Sequence, residues 1–254
     1  MSSEKVFITS SNGKKLAAVI HSPSKKTGRL AILCPGYLDT KDYDHLVRLA
    51  EALAEQGYAV VRFDPIGTWE SEGSILDYTT SQQLADVKSV LEYMLGKEHY
   101  DQVLLGGHSR GGMISILYAA RDPRISVVLA VMSPYSLIRT VNKDKIEKWK
   151  REGFKTSLRD IPKTNEKREF RVPYSDIEDA QKYNVLDEAS KLHIPLILVA
   201  GELDDVILPA DVKLIFDKAN EPKRMVVIDG IGHDYRHNIT EVEKVNDIIL
   251  KLLT

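Results

Sequence analysis

The sequence predicts a mostly parallel β-sheet with helices packed on both faces, and three observations carry that prediction. Apolar runs of strand length recur along the chain: RLAILCP, YAVVRFD, QVLLGG, ISVVLAVMS, PLILVAG and RMVVIDG. Their apolar residues are consecutive rather than alternating, which suits strands buried on both faces. Longer helical or mixed segments separate the runs, and such alternation implies parallel strands joined by crossover helices.

The chain opens differently. KVFITSSNGKKLAAVIHS holds two short β-like runs around Asn12-Gly13, and Asn-Gly supplies the positive φ that a tight hairpin turn needs. In DYDHLVRLAEALAEQG, Leu46, Leu49, Ala50 and Leu53 recur at helical spacing before a stop at Gly57. SQQLADVKSVLEYMLG repeats the device with Leu84, Val87, Leu91 and Met94 and a stop at Gly96. TEVEKVNDIILKLLT closes the chain with Val242, Val245, Ile248, Ile249 and Leu252 on one helical face. From about residue 134 to 183 the rhythm breaks: no sheet-core strand stands out, and charges crowd among Trp149, Phe154, Phe170 and Tyr174. DKIEKWKRE reads as a short amphipathic helix and REFRVPY as a hairpin arm, so this stretch is expected to be a small cap inserted in one domain spanning residues 1–254.

Bulk properties bound the function. At 254 residues a single domain buries a sizeable core. With 43% hydrophobic and 28% charged residues the composition is that of a globular protein, and a net charge of −2 leaves no electrostatic footprint for nucleic acid. The single cysteine, Cys34, has no partner for a disulfide, a zinc knuckle or a redox pair. The first residues lack a secretory apolar segment, and no window approaches 18 apolar residues; a cytoplasmic protein without membrane insertion is expected.

QVLLGG followed by SRGGMISILYAA puts Ser109 at a strand-to-helix turn, where ligands meet open α/β sheets. Gly107-His108-Ser109-Arg110-Gly111 is a G-x-S-x-G nucleophile elbow, in which glycines on both sides of the serine remove Cβ atoms that would collide in so sharp a turn. The pattern also arises by chance, and its context gives it weight. A serine hydroxyl needs a base within hydrogen-bond reach, itself oriented by a carboxylate. Glu202-Leu203-Asp204-Asp205 follows one later strand and Gly232-His233-Asp234 follows the next, both at carboxyl ends.

With these motifs in place the chain resembles the α/β-hydrolase family over essentially its whole length. CPGYLDTKDYDHLVRLAEALAEQGYAVVRFDPIG, SEG, GGHSRGG, GELDDVILP and GIGHDY look like the corresponding blocks of small bacterial and archaeal carboxylesterases, particularly the feruloyl or cinnamoyl esterase group and acylaminoacyl-peptidase-like relatives. The resemblance implies Ser109 as nucleophile and His233 as general base. For the acid it leaves two candidates. Asp204, three residues after Gly201, is favoured, whereas counting back from Pro209 in a shorter version of the loop selects Asp205. His233 is preferred to His237, which is placed at or within the last helix, and His108 is read as packing. The two oxyanion donors would be the backbone N–H groups of Arg110 and Tyr37, with Pro35-Gly36-Tyr37 replacing the usual His-Gly-x. Trp69 either shapes the pocket or packs on the surface, and Cys34 is read as a buried small hydrophobe. His21, His45, His99 and His193 are assigned to surface or core; no HExxH or comparable spacing points to a metal, and no cofactor is expected.

Residues 134–183 carry 13 Lys/Arg against 9 Asp/Glu, so the cap is the basic part of the chain. Two readings stand: a preference for anionic acyl or leaving groups, or a solvated surface. The aromatic residues there either line an acyl or aryl pocket or form the cap's own core. The leading expectation is a serine carboxylesterase acting on a small-molecule ester. Thioester or acyl-peptide hydrolysis by the same triad is the alternative, and a non-catalytic small-molecule-binding protein is the reading from another class.

Overall fold

The computed structural model describes residues 1–25, 27–139 and 141–253. In chain order its elements are β1 (Ser2–Thr9), β2 (Lys15–Ser22), β3 (Arg29–Cys34), α1 (Asp44–Glu55), β4 (Tyr58–Phe63), α2 (Thr80–Lys97), β5 (Gln102–His108), α3 (Arg110–Ala119) and β6 (Val127–Val131). There follow α4 (Lys143–Glu152), β7 (Phe154–Asp160), β8 (Lys167–Pro173), α5 (Ser175–Ala180), α6 (Val185–Ala189), β9 (Leu196–Gly201), α7 (Pro209–Lys218), β10 (Lys223–Ile228) and α8 (Ile239–Leu253).

Eight strands form one sheet in the order β1-β2-β4-β3-β5-β6-β9-β10. Gly13 takes a φ of 82° in the turn that joins β1 to its antiparallel partner β2. β2 also runs antiparallel to β4, and every pairing from β4 to β10 is parallel. This is the α/β-hydrolase fold that the sequence predicts. Residue alternation along the central strands divides the core: Ile32, Leu105, Val128 and Leu198 face α2, α3, α6 and α7, while Leu33, Leu104, Leu129 and Val199 face α1 and α8. Both faces of each central strand are covered, which explains the continuous apolar runs. Among the described residues no helix is long and apolar enough to cross a membrane.

Between β6 and α6 the chain leaves the sheet and builds a small cap. α4 is the amphipathic helix read in DKIEKWKRE, and its Trp149 is buried. β8 is the arm read in REFRVPY, and it pairs with β7 in a separate two-stranded antiparallel sheet. Trp149, Phe170, Val172 and Ile177 pack with Leu38 and Tyr78 of the sheet domain, so the cap's core is shared with the body beneath it.

A buried ion pair ties cap to body. The Arg110 side chain, at the first position of α3, is fully buried and reaches Asp176 of α5 through two parallel hydrogen bonds, Nη1 to Oδ2 at 2.8 Å and Nη2 to Oδ1 at 2.6 Å. It stacks 4.7 Å from the centre of the Tyr78 ring. Two desolvated charges hold each other only while both are present. Asp176→Ala is therefore expected to lower the unfolding free energy by about 3–5 kcal/mol. Arg110→Met combined with Asp176→Leu removes both charges and is expected to cost far less; urea unfolding of the two proteins checks the order.

Candidate active site

Ser109 sits between the end of β5 and the start of α3 with φ 53° and ψ −121°, a conformation that L-residues rarely adopt. Its own N–H is held by the Val131 carbonyl at 2.7 Å. The glycines on either side are there for space. A Cβ on Gly107 would lie 2.3 Å from the Cys34 carbonyl oxygen, and one on Gly111 would lie 2.1 Å from the same atom. The turn is thus wedged against the end of β3, and the serine hydroxyl projects clear of the sheet.

His233 follows β10 through a turn that begins at Gly230, where φ is 71°. Its Nε2 lies 3.0 Å from Ser109 Oγ and its Nδ1 lies 2.8 Å from Asp204 Oδ2. Asp204 is buried, and its other oxygen accepts the backbone N–H groups of Val206 (2.9 Å) and Ile207 (2.7 Å). Both carboxylate oxygens are thereby aimed. The acid and histidine loops are also stitched together, since Leu203 N–H donates to the Ile231 carbonyl at 2.9 Å and Glu202 accepts from Gly230 N–H at 2.8 Å. Asp205, the alternative acid, is exposed. His237 lies in a 3₁₀ turn, Tyr235–His237, before the last helix rather than within it, 3.9 Å from Asp160.

Tyr37 lies on the loop after β3, which is fixed from several sides. Leu38 takes a φ of 57°; its N–H donates to the Tyr78 hydroxyl and its carbonyl accepts from Trp69 Nε1, both at 2.9 Å. Arg159 of the cap donates to the Tyr37 carbonyl through Nε and Nη2, each at 3.2 Å. Deeper in the loop, the buried Lys41 ammonium reaches Asp64 at 3.0 Å and Asp42 at 2.8 Å. Among the described residues, neither the Tyr37 N–H nor the Arg110 N–H meets a protein acceptor, so both remain available to a ligand. Trp69 packs on Phe170 and does not line the cavity at Ser109. Cys34 is buried, and burial pushes its thiol up to about 12, which makes it inert.

Behind the histidine lies a cluster that the sequence did not reveal. Asp39, His45 and His108 are buried, and their ligand-capable atoms fall within 4.8 Å of one another. The His108 ring centre is 4.8 Å from that of His233. Burial depresses the imidazoles, His45 to about 3 and His108 to about 4, so both are neutral. Burial alone would raise the Asp39 carboxyl, but Arg236, 3.8 Å away, and the two histidines hold it well below the usual range. This is a donor set for a cation among the described residues, and the Arg236 guanidinium already answers the carboxylate. Asp39 and His108 reach this position because Gly36 has no side chain: a Cβ there would lie 2.6 Å from Asp39 Oδ2.

A cavity of about 390 Å³ is lined by Ser109, His233 and Tyr37, by Trp149 and Ile177 of the cap region, and by the inward face of β7. Strand alternation places Lys155, Ser157 and Arg159 on that face. Trp149 lines the cavity, Phe170 and Tyr174 pack in the cap's core cluster, and Phe154 lies under Arg171, its ring centre 3.7 Å from the guanidinium.

Residues 26–185 match the family described as Serine aminopeptidase, S33, and the chain belongs to that family of serine hydrolases with the α/β-hydrolase fold. Among curated proteins it is 23% identical over 228 residues to the mouse (Mus musculus) protein named Palmitoyl-protein thioesterase ABHD10, mitochondrial, a match covering 88% of this chain and 76% of that protein. With the bovine (Bos taurus) protein of the same name it is 24% identical over 69% of this chain, and the match spans only 57% of that relative. The structure of mouse ABHD10 superposes with a TM-score of 0.79 at 21% identity, covering 98% of both chains. Ferulic acid-bound Est1E from Butyrivibrio proteoclasticus gives 0.76 at 23% identity, covering 97% of this chain and 98% of that one.

The buried neutral imidazoles have a pH signature. The folded pKa of His45 lies below its unfolded value of about 6.5, so the unfolded chain binds the extra proton as pH falls. Its contribution to stability is complete above that value and is lost as pH falls toward 3. Urea midpoints measured between pH 7.5 and 5 are expected to fall more steeply for the wild type than for His45→Gln, by up to about 1.4 kcal/mol per pH unit once converted to free energy. Taking the difference cancels opposing groups such as Asp86, whose carboxyl burial pushes up to about 7.

Proposed function

We propose that this enzyme hydrolyses thioesters of small acyl substrates through an acyl-enzyme on Ser109, with residues 1–254 as one catalytic domain and residues 134–183 as its cap. The observation that carries the reading is the continuous relay from Asp204 through His233 to Ser109, opening on the cavity. Ser109 Oγ attacks the acyl carbon while His233 Nε2 takes the hydroxyl proton. Asp204 keeps the imidazole in the tautomer with its proton on Nδ1 and stabilises the imidazolium that forms. The oxyanion is received by the N–H groups of Tyr37 and Arg110, each such donor being worth on the order of 10²–10³ in rate. The carbon–sulfur bond then breaks, and His233 returns its proton to the departing thiolate. Water repeats the sequence, giving up a proton to His233 as its oxygen joins the acyl carbon, and Ser109 recovers the hydroxyl as the free acid leaves.

Support for thioesters comes from the curated relatives named palmitoyl-protein thioesterase, which match with 23–24% identity. The same machinery cleaves carboxylic esters, the reading favoured by the esterase-like motif blocks; the two differ in leaving group and cavity contacts rather than in the relay.

A small uncharged fluorophosphonate is expected to add once to the wild-type protein and not to Ser109→Ala, read by intact mass. His233→Ala should label far more slowly, and Asp204→Asn should lose turnover on the order of 10⁴-fold, as when a triad carboxylate becomes its amide. Between a butyryl thioester and the matched butyryl ester, kcat/KM is expected to be higher for the thioester. The opposite order would select the carboxylesterase reading, and an unlabelled wild type would end both.

A further inference from the structure

The charges around the cavity do not balance by pairs. Each carboxylate lining it already faces an arginine: Asp176 is engaged by Arg110, Asp234 by Arg236 at 2.6 Å, and Asp39 by Arg236 at 3.8 Å. Two cations remain, Lys155 and Arg159, on the same inward face of β7 with Ser157 between them. Among the described residues neither has a carboxylate within ion-pair distance. The hydrogen bonds of Arg159 go to the neutral carbonyls of Tyr37 and Leu158. The Lys155 ammonium sits between aromatic faces, 5.4 Å from the centre of the Tyr37 ring and 5.5 Å from that of Trp149. Burial first, and then the like charges of Arg159 and Lys145, disfavour its protonated form. Leu137, Val141, Ile177, Val206 and Ile207 give the same cavity apolar lining.

We propose that Lys155 and Arg159 form an anion-binding subsite within this cavity, and that the chain's substrates join an apolar body to a negatively charged oxygen group such as a carboxylate or phosphate. An anion there offsets the repulsion between the two cations and offers the Lys155 ammonium a hydrogen bond between two charged partners. The apolar lining takes the remainder of the molecule. Ser157, between the two cations on the same face, keeps the strand polar toward the cavity along its length. This inference rests on the cavity being the acyl-transfer site, and it narrows that reading from acyl substrates in general to anionic ones.

Two matched substrate pairs locate the charge. S-succinyl against S-butyryl N-acetylcysteamine places it on the acyl group, and S-butyryl 3-mercaptopropionate against S-butyryl N-acetylcysteamine places it on the leaving group. In one of these pairs the wild type is expected to favour the charged member in kcat/KM by at least about tenfold, the size of one charge-assisted hydrogen bond. The preference should weaken with added salt, collapse toward unity in Lys155→Met and Lys155→Gln, and persist in Lys155→Arg. Equal or better turnover of the neutral member in both pairs overturns the proposal, as does a preference that survives both neutral substitutions. Fluorophosphonate labelling of the same wild-type sample separates the two levels: a labelled enzyme without charge preference sinks the subsite alone. Should labelling and turnover both fail, the subsite is read by Trp149 fluorescence during titration with glutarate. A saturable change that Lys155→Met abolishes supports it, and a flat titration overturns it.

Discussion

The contact on which the site depends is the one between the turn at Ser109 and the end of β3. Gly107 and Gly111 lie so close to the Cys34 carbonyl that no side chain fits at either position. The register is fixed by parallel pairing, with Cys34 opposite Gly107. The Ser109 backbone is consequently held at a positive φ by sheet geometry, not by its own preference. The same contact brings the loop after β3, with Tyr37, beside the first turn of α3, with Arg110. The Ser109 hydroxyl and the N–H groups of Tyr37 and Arg110 are therefore set by one packing decision at the centre of the sheet, where the surrounding strands are most fully buried.

Around that centre the structure uses polar groups to join parts that hydrophobic packing would leave independent. Arg110 takes the elbow's charge across to Asp176 and the cap, Arg159 brings the cap back to the Tyr37 carbonyl, and Asp204 binds its own loop before it binds His233. Behind these, Asp39, Arg236 and two neutral histidines form a buried polar layer against the His233 imidazole. The hydrogen-bonded links through Arg110, Arg159 and Asp204 are stabilising when complete and costly when broken, which concentrates fragility around Ser109.

Much of this was legible in the sequence, and the limits have physical causes. Strands buried on both faces announce themselves as apolar runs, and Ser109 and His233 stand at turns whose glycines are visible. The sequence favoured Asp204 over Asp205 without excluding either, because adjacent carboxylates differ only in which one turns inward, here Asp204, to collect the N–H groups of Val206 and Ile207. The Asp39–His45–His108–Arg236 cluster was hidden by chain separation. In the cap, β8 showed its alternation through Phe170 and Val172, whereas β7 faces inward with Lys155, Ser157 and Arg159, and polar residues on a strand's covered face give no apolar period to detect.

The cap hairpin carries a further implication for how specificity diversifies. Side chains on a strand change sides with every residue, so a slip of one position along β7 would turn Lys155, Ser157 and Arg159 outward and present Phe154, Thr156 and Leu158 in their place. A single-residue insertion or deletion at the hairpin's margin, without any substitution in the catalytic body, is enough to exchange a cationic ceiling for a largely greasy one. Evolution can thus retune what enters this cavity by a frame change confined to seven residues.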